Sequence, residues 1–67
     1  MKLLDYIREK GFTTKSLAEK SGVSVRSLEC YTSGRFKWRN ARLWFAEAVA
    51  EQLEITTKQL MDFDEGL

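Results

Sequence analysis

Sixty-seven residues, with 11 Lys+Arg, 10 Asp+Glu and a formal net charge of +1, make one small domain and exclude a nucleotide-binding α/β enzyme or a barrel. With no histidine and one cysteine, the chain has no Ser–His or Cys–His pair, no internal disulfide and too few ligands for a structural zinc site. At 43% hydrophobic and 31% charged it has the composition of a folded globule, and it contains no proline to interrupt a helix.

The apolar residues recur at helical spacing throughout. Leu3, Leu4 and Ile7 define a first helix over about residues 2–10, stopped by Gly11 after two basic residues, with Phe12 packing inward. Thr13 is an N-cap for a second helix, in which Leu17 and Ala18 form the apolar side, and Gly22 ends it. Val23 is expected under the turn. Ser24 caps a third helix through Tyr31, with Leu28 and Tyr31 facing the core. Residues 35–40 read as a loop, with Phe36 as a core plug ahead of the alternative, a base-stacking residue. Asn40 caps a fourth helix over about residues 41–54, carrying the stripe Leu43, Ala46, Val49, Ala50 and Leu53. Ile55 is buried after it. Thr56 caps a last short helix to about Phe63, with Leu60, Met61 and Phe63 available to the core. Asp62, Asp64 and Glu65 form a frayed acidic tail. The fold class is all-α: a compact bundle of five short helices and no strand, one domain over 1–67. No apolar stretch has the length of a signal h-region or a membrane span.

The informative segment is residues 13–31, helix, Gly22-Val23-Ser24, helix. A glycine in a three- to four-residue turn between two short helices is helix-turn-helix geometry. The string Leu17-Ala18-Glu19-Lys20-Ser21-Gly22-Val23-Ser24-Val25-Arg26-Ser27-Leu28, with Gly34 six residues on, resembles the phage repressor/Cro-type (Xre-like) helix-turn-helix family. The later Leu53 and Thr56 followed by Leu60 fit that family's fourth and fifth helices, so the resemblance covers about residues 3–61. It implies a lambda-repressor-like fold and a sequence-specific, double-stranded-DNA-binding regulator of phage or prophage type, a repressor by expectation. The cell would be bacterial or phage-infected, the protein cytoplasmic and nucleoid-associated, and the operator palindromic, read by a homodimer. No cofactor, metal or enzymatic activity is expected. The chain departs from the family pattern at Thr14, where glutamine is frequent, at the apolar Val25 and Cys30, and in its more aromatic, basic loop.

The resemblance places a recognition helix over about residues 24–31 in the major groove. Val25, Arg26, Glu29 and Cys30 are then the candidate base-contacting residues. Arg26 matches guanine O6 and N7 with a bidentate fork, Val25 a thymine methyl, and Glu29 either accepts from a cytosine amino group or orients Arg26. Thr14, Lys15, Ser24, Ser27, Arg35, Lys37 and Arg39 are candidate backbone contacts, and the Trp38 indole N–H is a further phosphate donor. Residues 1–39 carry nine basic and four acidic side chains (+5), and residues 40–67 two basic and six acidic (−4), so a nearly neutral chain is electrostatically polar. Trp44 lies off the stripe of the fourth helix beside Phe45, which makes it the candidate dimer-interface residue. The alternative function is a protein-interaction or antitoxin-like module on the same fold, with the aromatic loop as its contact surface.

Overall fold

The computed structural model describes residues 2–66, and side chains as far as Asp64. These residues form five α-helices, α1 (Leu3–Glu9), α2 (Thr14–Ser21), α3 (Val25–Thr32), α4 (Leu43–Leu53) and α5 (Thr57–Asp62), with 3-10 turns at Trp38–Asn40 and Phe63–Gly66. There is no strand among them.

Local chemistry sets the helix starts. Thr13 Oγ1 accepts the Ser16 N–H at 3.0 Å while Ser16 Oγ accepts the Thr13 N–H at 2.9 Å, a reciprocal capping box. Thr56 and Gln59 repeat the arrangement at α5. Ser24 Oγ accepts the Ser27 N–H at 3.4 Å and caps α3.

Three helix ends share one device. Phe12, Val23 and Ile55 each donate an N–H to a carbonyl five residues back, on Ile7, Ala18 and Ala50, and each then packs against the core. The preceding residue must take a left-handed conformation. Gly22 does so at φ +74°, with open space where a Cβ would sit, so the backbone angle and not crowding asks for glycine. At the end of α4 the same place is held by Glu54 at φ +59°.

The core is a single cluster. Leu3 and Ile7 of α1, Leu17 and Ala18 of α2, Leu28 of α3, Val49, Ala50 and Leu53 of α4 and Leu60 of α5 are almost fully buried. The helix α2 packs on both α3 and α4, so α3 is pinned from behind while its outer face stays free.

Four expectations are corrected by packing. Helix α4 begins at Leu43, preceded by an extended Arg42, and Asn40 closes the 3-10 turn instead of capping it. Leu43 is 66% exposed and Phe45 is buried in its stead. Leu43 belongs to the expected stripe, but at this end of α4 the available partners are Tyr31 and Trp38, on the Phe45 side. Phe36 is half exposed, because the space beneath it is filled by Trp38, stacked on Tyr31 with ring centroids 4.4 Å apart. Met61 stays at the rim.

The acidic tail is not frayed at Asp64. Its carboxylate is buried and accepts the Trp38 N–H at 2.8 Å and the Arg39 N–H at 3.1 Å, with Arg39 Nε 3.6 Å away. The carboxylate thereby caps the 3-10 turn from the other end of the chain. Asp62 is exposed, and Glu65 lies outside the described side chains.

Candidate nucleic-acid interface

The helix α3 is held by Leu28, with no exposed surface, and by half-buried Tyr31. The opposite face carries Arg26 and Glu29, both exposed. Cys30, one turn beyond Arg26, is half-buried. Val25 lies three residues before Leu28 on the same face and packs partly against the core, so less of it reaches outward than expected. Arg26, Glu29, Cys30, Ser33 and Arg35 line a shallow groove of about 210 Å³. Arg39–Asp64 is the one ion pair within 4 Å among the described residues, so Glu29 does not hold Arg26.

A second groove, about 370 Å³, runs along the amino end of α3. It brings Ser24 and Ser27 together with Asn40 and Arg42, and with the aromatic side chains of Phe36 and Trp44. Ser24 accepts the capping N–H and keeps its own O–H to donate outward. Asn40 and Arg42 enter the site only through tertiary structure. In sequence, Arg42 closes the run Arg35–Arg42, four basic residues and no acid, which the family resemblance places where the loop touches phosphates.

The other expected backbone contacts separate into two groups. Thr14 and Lys15 occupy the first turn of α2, Thr14 half-buried and Lys15 exposed, away from either groove lining. Lys37 and Arg39 turn toward the C-terminal segment, Lys37 Nζ reaching the Asp64 carbonyl at 3.5 Å. The Trp38 indole is 2% exposed, and its N–H is buried without an acceptor among the described residues, so it is not a phosphate donor. Trp44 is 59% exposed.

No family model matches the chain, and no curated protein or solved structure matches it. No helix among the described residues is long and apolar enough to cross a membrane, and no group of three or more His, Cys, Asp or Glu among them is placed to hold a metal ion.

Proposed function

We propose that the protein is a sequence-specific duplex-DNA-binding regulator of phage-repressor type, with α2 and α3 as a helix-turn-helix and α3 as its recognition helix. The observation that carries this reading is the two-sidedness of α3. One face is locked into the core through Leu28, and the other presents Arg26 and Glu29 without an ion-pair partner among the described residues. A rigid helix with a free guanidinium is suited to reading base edges in the major groove. Ser24, Ser27, Asn40 and Arg42, beside its amino end, supply donors for the flanking phosphates.

Two copies on a palindromic operator remain part of the proposal. Trp44 shares a groove with Ser24 and Ser27, so a two-fold contact centred on it would cover those hydroxyls. Trp44 is therefore assigned to the DNA-facing side, and the dimer contact first considered for it is given up. A second reading, a protein-interaction module, is favoured by one observation, the exposure of Phe36, Leu43 and Trp44. Titration of the protein with duplex DNA across a salt series separates the two. DNA binding through about five phosphates gives a log–log slope of about −4.5. Absence of duplex binding at low salt would leave the interaction module.

A further inference from the structure

The groove beside α3 is built as an aromatic trough. Its floor is Tyr31 against Phe45, with ring centroids 5.2 Å apart. Phe36 stands edge-on to Tyr31 at 5.7 Å and 70°, and Trp44 stands edge-on to Phe45 at 5.7 Å and 64°. Trp38, stacked behind Tyr31, stiffens the floor. Phe36 and Trp44 are each at least half exposed, so the walls of the trough are open to a ligand. The volume, about 370 Å³, falls in the range of small-ligand sites.

The rim decides the sign of the ligand. Aromatic cages of this kind also suit cations, but those gain from a neighbouring carboxylate, and no acidic side chain among the described residues lines this groove. Its one charged group among the described residues is Arg42, accompanied by the Asn40 amide and the hydroxyls of Ser24 and Ser27. A flat ring for the trough joined to an anion for the rim is the chemistry of a nucleotide.

We propose that this trough is a nucleotide-binding subsite, the base entering between Phe36 and Trp44 and the phosphate meeting Arg42 and Asn40. The nucleotide is either free or an unpaired residue of a single strand. Ser24 and Ser27 belong to both this subsite and the proposed duplex surface, so an occupied trough opposes duplex binding. That regulatory consequence rests on the DNA-binding reading, whereas nucleotide binding does not.

Tryptophan emission reads the site directly, because Trp44 is exposed and Trp38 is buried. The wild-type protein is titrated with deoxyadenosine monophosphate, inorganic phosphate, a short oligo(dA) strand and a duplex. Saturable quenching by the mononucleotide, with none by phosphate, identifies a free nucleotide as ligand. Quenching by the single strand alone identifies a strand as its source. In either case Phe36→Ala, at an exposed position, weakens binding roughly 10-fold or more while far-UV circular dichroism is unchanged, and Arg42→Ala weakens the mononucleotide as well. Quenching by the duplex alone, by nothing, or equally in Phe36→Ala overturns the subsite. Mononucleotide binding without duplex binding would keep the subsite and remove the DNA-binding reading. Duplex binding without mononucleotide or single-strand binding would do the reverse.

Discussion

Asp64 offers the sharpest test of how the loop after α3 is held. Asp64→Ala removes a buried carboxylate that accepts two backbone N–H groups, at 2.8 and 3.1 Å. Hydrogen bonds to a charged acceptor contribute about 1.5–3 kcal/mol each, and a buried donor left unpaired costs about 1–3 kcal/mol. Against these gains stands the desolvation of the carboxylate itself, so the net loss is set at about 2–4 kcal/mol. The Arg39 ion pair adds little, since that side chain is 58% exposed and screened by water. In a domain of this size, each kcal/mol moves Tm by roughly 4–8 °C, which puts the fall at roughly 8–32 °C. Thermal and urea unfolding followed by circular dichroism measure it. Trp38 emission reports the local consequence, a red shift as the turn over Tyr31 loosens. Asp64→Asn, which keeps an acceptor oxygen, should lose about half as much, and Arg39→Ala less than about 1 kcal/mol. A loss below about 0.5 kcal/mol for Asp64→Ala, or an Arg39→Ala loss equal to it, would refute the capping account.

The remaining predictions concern single local features. Glu54→Gly should stabilise the protein by about 0.5–1 kcal/mol in urea unfolding, because Glu54 holds a left-handed conformation at φ +59°. Thr13→Ala breaks one half of the capping box at α2 and should cost about 1 kcal/mol by the same measurement. In fluorescence-anisotropy titrations with duplexes of different sequence, Arg42→Ala should weaken every duplex alike and lower the salt slope by about one unit. Lys37→Ala should weaken them less, since its ammonium already reaches the Asp64 carbonyl.

The parts of the fold written in the sequence are the ones set by near neighbours. Thr13, Ser24 and Thr56 cap helices through groups three residues on, and the turn at Gly22 follows from a backbone angle. Val25 was expected to face outward, yet it lies three residues before Leu28, shares its face and packs partly against the core. Asp64 was not readable, because its partners lie 25 and 26 residues earlier and a terminal acidic cluster has no local signature for a cap. Nor does local spacing decide between two aromatics separated by one residue. Phe36 and Trp38 exchange their expected places because Tyr31 offers a flat surface that the larger ring covers. For the candidate site, Arg26 and Glu29 on the free face of α3 were legible from helical periodicity. The gathering of Asn40, Arg42 and Trp44 around Ser24 and Ser27 required the turn and α4 to be placed.

The central claim, that α3 reads duplex sequence through Arg26, is tested most directly by selection from a random duplex pool at moderate salt. Wild-type protein and Arg26→Ala are selected in parallel. The account predicts that the wild type enriches a palindromic site, and that Arg26→Ala binds it more weakly by about 1–3 kcal/mol and relaxes preference for guanine at one position of each half-site. Failure of the wild type to enrich any sequence, or an identical enriched site and affinity for Arg26→Ala, would contradict it.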